Sequence, residues 1–576
     1  MLLTHCTIPD FEHMAFETAH ILIEQEHIAH VFRNTDPPAY EGEVKDCSGM
    51  YVCPGLCDGH IHIESSRLNP SVFADTAASC GTTSVFADPH EIANVLGVKG
   101  AALFLDRAEK LSIDLFIGVP SCVPATHLET SGSTLTLKNI EKLLEHKRVY
   151  GLAEMMNVPG IVHDIGDTRA RVEAALKLGK VVDGHCPGLS GDDLATYITN
   201  GHNDGAVRIM SDHECTSYEE AREKYEAGMH IMLRYGSASK DLPALFEGFV
   251  SDRIYSDRLI LVCDDITAQD LRRKGHINHV HHTAMNILSN AGGLSQDRAF
   301  LHALKMCTAN TCSYFGIRAG RIRPGYRANL VIHTDTDKIE PETVICRGAA
   351  VYTAHRGTAS PASEQPDYNG YTGRMHVEQN PDICARSEQE RPLCRVIGLV
   401  PDSIITQAET AELETEHGCI IPSPEQGIAK LCVIERHRGT GNRGIGFVKG
   451  FAFREGAVAS TVAHDSHNII AAGFSDDLIM KAVDLLRDAG GGLAAVTQSG
   501  SCLLRLDIAG LMSSESIDHV IEQEKSMASF TAAMGFSQDP FPALSFLALP
   551  VIPELKLTDR GLVDVSAFDF VPLEVS

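Results

Sequence analysis

GLCDGHIHI, residues 55–63, reads as a short apolar strand that delivers two imidazoles, His60 and His62, at its C-terminal end. Alternate residues of a strand share a face, so both rings point the same way. The texture repeats along the chain as TTSVFADP (82–89), DLFIGVPSC (114–122), YGLAEMM (150–156), KVVDGHCP (180–187), AVRIMSDHE (206–214), MHIMLRYGS (229–237) and RLILVCDD (258–265). Stretches with helical periodicity lie between these runs: residues 97–112, 136–147, 168–179 and 216–228, the last opening on a Ser217/Glu220 capping box.

Strand and helix alternating in this way make an α/β fold with a parallel sheet, and eight such units close a (β/α)8 TIM-type barrel over residues 55–320. The runs end in His60 and His62, Asp88 and His90, Glu154, His185, His213, Arg234, Asp264 and Asp265. The C-terminal strand ends of such a barrel form its active-site face, so these positions are expected to converge on one cleft. Strands also end in charge merely because they reach solvent, but that explains poorly why His, Glu and Asp recur here.

Segments on both sides of the barrel look like short strands: HILIEQEHIAHVF (20–32) and SGMYVCPG (48–55) before it, GRIRPGYRANLVIHT (320–334) and ETVICRGAAVYTA (342–354) after it. Residues 1–54 and 321–360 are expected to pair into one small β-domain. The polar, turn-rich stretch 361–392 reads as a linker. Residues 393–576 mix strands (GFVKGFAF, GAVAST, GGLAAV) with helices (475–490 and 519–535) and form a further α/β domain.

A formal charge of −27 disfavours nucleic acid and anionic membrane surfaces as partners. The opening residues carry no signal-peptide pattern, and no apolar run is long enough to span a bilayer. The 17 cysteines form no dense framework and no paired C-x-x-C, so they read as reduced thiols in a cytoplasmic protein.

H-x-H alone is a weak sign of metal. With Glu154, His185, His213 and Asp264 each closing a different strand, the set supplies imidazoles to hold cations, a carboxylate to bridge them and another to handle protons. His62, Ile63 and Glu64 also spell the H-x-E of zinc base deaminases, but the P-C-x-x-C that accompanies it is absent from the sequence. His437, His464 and His467 are read first as a polar network internal to the C-terminal domain, with closure over the barrel mouth or an extra ion as the alternative. His127, His163 and His202 are expected in solvent.

The phrases DGHIHIESS, ADPHEIANVLG, GLAEMMNVPG, DGHCPGL, DHE, GSASKDL, GHINH, ERHRGTGNRGIGFVKGF, VAHDSHNII and LSFLALPVIPELKLTDRGLVDV resemble those of the adenine deaminase family, within the amidohydrolase superfamily, over nearly the whole chain. The resemblance implies that His60 and His62 bind one divalent ion and His185 and His213 another, with Glu154 bridging and Asp264 both completing the site and shuttling protons. It implies hydrolysis of adenine by a hydroxide on a binuclear centre, in purine salvage, and an adenine deaminase-like C-terminal domain.

The resemblance favours manganese, or iron, and zinc fits the same ligands. His90, Glu91, Arg234 and Ser237 are candidates for binding substrate, and a homo-oligomer is expected. One departure stands beside the cleft: Arg234–Ser237 read R-Y-G-S where the family has R-E-G-S, so the phenol of Tyr235 replaces a carboxylate. The alternatives are an amidohydrolase acting on another heterocycle and a scaffold that has lost its chemistry. Mutually repelling carboxylates without cations argue against the scaffold.

Overall fold

The computed structural model describes residues 1–575 except 34, 38, 359–367, 374, 380, 402 and 454. Leu2–Asp10 (β1), Ala15–Glu24 (β2) and His27–Arg33 (β3) form an antiparallel meander, and Val44–Asp46 (β4) and Tyr51–Pro54 (β5) run parallel to β1. Their inward residues, Leu3, Cys6, Ile8, Ile21 and Ile28 among them, form a core of their own.

The chain then enters the barrel. Its strands are Leu56–His62 (β6), Thr82–Ala87 (β7), Asp114–Val119 (β8), Val149–Met155 (β9), Val181–Gly184 (β10), Ser211–Asp212 (β11), His230–Arg234 (β12) and Leu259–Val262 (β13), the last resuming as Asp264–Asp265 (β14). Five neighbouring pairs run from β10 back to β6 and on to β14, and β11, β12 and β13 complete the circle. These strands are buried almost throughout, as a parallel sheet covered on both faces requires.

The seam between β10 and β11 is held by Met210 N donating to Val182 O at 2.9 Å and Gly184 N to Ser211 Oγ at 3.4 Å. A Cβ on Gly184 would stand 2.2 Å from Ser211 O, so closure at this point needs glycine. Phe86, Phe116, Tyr150 and Phe315 help fill the barrel interior, with Phe86 stacked on Phe315 at 3.8 Å. Side chains thus plug the barrel below the cleft.

After the barrel, Leu330–His333 (β15) pairs antiparallel with β5, and Thr343–Cys346 (β16) and Ala349–Thr353 (β17) extend the same sheet. The segments on either side of the barrel therefore share one sheet, as their texture suggests. Asp114, at the start of β8, anchors this sheet to the barrel. Its buried carboxylate accepts from Arg148 at 3.0 Å, Arg327 at 2.9 Å, Arg347 at 3.2 Å and Asn329 at 3.0 Å.

The C-terminal part centres on an eight-stranded sheet. The helix Asp476–Ala489 packs on it, ending at Gly490 with φ 83°, and the helix Ile517–Ala533 is capped by Ser516. Strands lie at Arg443–Lys449, Ala457–Ser460 and Gly492–Val496, so of GFVKGFAF only the first half is extended. Phe451 and Phe453 leave the strand to fill the core beside Phe536.

Some expectations need correction. Ser217 caps its helix through Glu220 N, but the Glu220 carboxylate turns to Gly188 N, Thr216 N and Lys224 Nζ instead of closing the box. Cys384 and Cys419 form a disulfide, since backbone bonds between segments 385–387 and 418–420 bring Cα atoms 35 residues apart to 5.3 Å; the other fifteen cysteines are free thiols. Of the expected linker, residues 361–367, 374 and 380 lie outside the described residues. Beyond residue 367 the chain docks: Tyr368 is buried and its hydroxyl donates to Asn69 Oδ1 at 3.0 Å. Among the described residues no helix is long and apolar enough to cross a membrane.

Candidate metal centre

His60 and His62 leave the end of β6 with their Nε2 atoms turned to the same two carboxylates. His60 Nε2 lies 3.5 Å from both Glu154 Oε1 and Asp264 Oδ1, and His62 Nε2 lies 3.0 and 3.3 Å from them. Glu154, on β9, spans the centre: its Oε2 faces His185 Nδ1 at 2.8 Å and His213 Nε2 at 3.6 Å. One carboxylate thus has an oxygen toward each pair of imidazoles. Asp264, the first residue of β14 just past the break at Cys263, reaches the cluster from a backbone with φ 65°. Its Oδ2 accepts from Arg234 Nη1 at 3.1 Å.

All six residues expected as ligands from sequence meet here, although they come from five strand ends. His90 is drawn into the same cluster, with Nδ1 3.2 Å from Asp88 Oδ2 and 3.7 Å from Glu154 Oε1. Arg234 is occupied by Asp264, Asp241 and Glu214, which positions carboxylates and leaves it out of the cavity wall. Ser237 lines the cavity beside the centre, but its hydroxyl donates to Asp270 Oδ2 at 2.8 Å and accepts from Thr267 N at 3.0 Å.

Tyr235, beside Arg234, packs against His279 with ring centroids 5.5 Å apart and does not line that cavity. Glu214 was missed as a site residue. It follows His213 beyond the end of β11, and its Oε1 lies 3.4 Å from His213 Nε2 and against Arg234. Strand alternation would send it to the opposite face, so the pattern hides it.

The electrostatics ask for positive charge. Burial raises the Glu154 and Asp264 carboxyls, yet the surrounding imidazoles hold both well below the usual range. Burial pulls His60 down, and Asp264 and Glu154 override it to about 10; His185 reaches about 9 against burial, through Glu214 and Glu154. His213, pressed by burial and by the neighbouring His60, is pushed well below its usual value and rejects a proton.

Buried His60 Nδ1 and Nε2, Glu154 Oε1 and His213 Nδ1 make no hydrogen bond. Orphaned donors and acceptors of this kind are costly. Ligand atoms of His60, His62 and Asp264, of His60, Glu154 and His213, and of His185, His213 and Glu214 each gather within 4.8 Å. Such an N/O donor set fits divalent cations.

The C-terminal part reaches this face. Glu91, in the first turn of the helix His90–Leu96, takes His464 Nδ1 on Oε1 at 2.7 Å and His467 Nε2 on Oε2. These two histidines therefore cross to the barrel, whereas His437 bonds within the C-terminal part, to Ser466 O at 2.7 Å, with the other side of its ring against Gly132 of the barrel. His127, His163 and His202 are exposed, as expected.

Two family models match the sequence: the amidohydrolase family over residues 51–351 and the adenine deaminase C-terminal domain over residues 403–569. The adenine deaminase of Desulfatibacillum aliphaticivorans is 43% identical over 533 residues, 92% of this chain and 90% of that protein. Adenine deaminase 2 of Carboxydothermus hydrogenoformans is 41% identical over 546 residues, 93% and 91% of the two chains. The adenine deaminase of Methanothrix thermoacetophila is 40% identical over 526 residues, 91% and 88%.

Proposed function

Because the chain belongs to the adenine deaminase family of amidohydrolases, we propose that it hydrolyses adenine to hypoxanthine and ammonia at this centre, with His60 and His62 holding one divalent ion, His185 and His213 a second, and Glu154 between them. The observation that carries the reading is the division of Glu154, Oε1 toward His60 and His62 and Oε2 toward His185 and His213. Divalent cations held there supply Lewis acidity to activate water and charge to neutralise the carboxylates.

The chain's own residues do the rest. Water adds to C6 of adenine and the exocyclic amine departs, so one group must take a proton from water and return it to nitrogen, because amide anion is a poor leaving group. Asp264 is that group in our assignment. Its Oδ1 faces the two imidazoles of β6 while Arg234 fixes Oδ2. Glu214 and Asp241 hold the guanidinium in place, so the carboxylate cannot rotate away.

Manganese is the proposed ion, on the family resemblance; carboxylates and imidazoles without a thiolate accept it, as they accept iron and zinc. We place the enzyme in the cytoplasm, in keeping with fifteen free thiols, and read it as a homo-oligomer acting in purine salvage on a small neutral base. The test is purified, manganese-loaded protein incubated with adenine. Stoichiometric hypoxanthine and ammonia are expected. Ammonia from a different heterocycle and none from adenine would keep the chemistry and overturn the substrate.

A further inference from the structure

A cavity of about 130 Å3 opens beside the metal centre, and its wall comes from both domains. The barrel contributes Glu64, Ser65, Glu91 and Asp265; the C-terminal domain contributes Val462, His464, Phe541 and Phe546 among others. Drug-sized ligands occupy pockets of ~300–1,000 Å3, so this volume suits something as small as a single base. Its polar lining includes Asp265, the chain neighbour of Asp264, and the rest of the wall is largely apolar and aromatic.

His464 is fixed in this wall twice over. Its Nδ1 meets Glu91 Oε1 at 2.7 Å, and its ring stacks on Phe546 with centroids 4.7 Å apart and planes 26° from parallel. Glu91 is itself immobilised: His467 Nδ1 accepts from Ala463 N at 3.2 Å, so His467 carries its proton on Nε2 and donates it to Glu91 Oε2. With Nδ1 committed, Nε2 is the ring atom of His464 left to a ligand. The link to the centre is short, since Glu91 Oε1 lies 3.5 Å from His90 Nε2 and His90 Nδ1 lies 3.7 Å from Glu154 Oε1.

We propose that this interdomain cavity is the purine-binding subsite, in which His464 Nε2 hydrogen-bonds the edge of the base and Phe546 covers one of its faces. The inference rests on the adenine reading above and deepens it: the barrel performs the chemistry, and the C-terminal domain grips the part of the ring that does not react. Glu91 acts through His464 as a positioning residue.

The test compares wild-type, His464→Asn, Phe546→Ala and Phe546→Leu proteins by adenine kinetics, calorimetric affinity for hypoxanthine and metal content. Loss of a base–aromatic stack or an edge contact should raise KM and the hypoxanthine Kd about tenfold or more in His464→Asn and Phe546→Ala, with kcat falling far less. Phe546→Leu, which keeps an apolar cover, should recover part of the loss, and metal content should stay at the wild-type level throughout. Wild-type KM and Kd in both the His464→Asn and Phe546→Ala proteins, while wild-type protein deaminates adenine, overturns the subsite alone. Loss of metal in His464→Asn also overturns it, by showing that the residue supports the ions and not the base. Wild-type protein that neither turns over adenine nor binds hypoxanthine overturns the functional reading and the subsite with it.

Discussion

Glu154 and Asp264 are both buried carboxylates within reach of His60 and His62, yet the assignment gives them different work, and substitution should separate them. Glu154→Gln removes the charge that faces both pairs of imidazoles, so metal content should fall along with rate, by about tenfold or more. Asp264→Asn should retain most of the metal, because four imidazoles and Glu154 remain around the ions, and should lower kcat by about 10²–10⁴-fold with little change in KM. Metal analysis beside steady-state kinetics checks both; equal metal loss in the two variants would remove the distinction. At this scale the sequence was informative because a barrel sends every strand end to one face, so His60, Glu154, His185, His213 and Asp264 could be gathered without knowing a distance. His464 and His467 could not be joined to Glu91, because no periodicity relates positions 376 residues apart.

Among the elements, the clearest pH-sensitive feature lies between the helices behind the barrel and the flanking sheet. His281 and His333 are buried on either side of Phe300, with ring distances of 4.7 and 5.7 Å, and each meets a backbone carbonyl, Phe300 O and Asp335 O. Burial depresses them to about 3 and about 4. The unfolded chain therefore binds protons below about pH 6.5 that the folded chain refuses, and stability present above that pH is lost as pH falls toward these lower values. Each histidine should cost about 2 kcal/mol by pH 5 relative to pH 7.5. His281→Gln and His333→Gln should narrow the stability gap between those pH values by about that amount in urea unfolding; an unchanged gap would show that neither titration is linked to folding. Helix positions were legible from apolar spacing, and the Ser217 cap from its sequence. The turn of Glu220 toward Lys224, a cation with no exposed side-chain area, was not, because Asp212 and Cys186 O, distant in sequence, bury Lys224 one turn along the same helix, where it draws the Glu220 carboxylate away from the local box.

At the scale of the whole molecule, two buried charged clusters are among the contacts that tie the parts together: the Asp114 cluster at the base of the barrel and the Glu91 clamp at its mouth. Asp114→Ala leaves Arg148, Arg327 and Arg347 facing one another without their buried carboxylate, a change of the kind that costs about 3–5 kcal/mol. Thermal unfolding should show a clear fall in Tm, while the fraction that remains folded keeps wild-type turnover per metal, since the cluster lies at the end of the barrel opposite the centre. Wild-type stability would mean that the flanking sheet does not depend on this anchor. The pairing of the two flanking segments was legible from shared texture, whereas the Cys384–Cys419 bond was not, because two cysteines among seventeen carry no sign of being neighbours.

The account's central claim is a two-ion centre built on Glu154, and a metal titration tests it most directly. Protein stripped by chelation is expected to be folded and inactive, and adenine turnover should rise with added Mn2+ to a plateau at two equivalents per chain. Full activity in metal-free protein, or a plateau at a single equivalent, would contradict it.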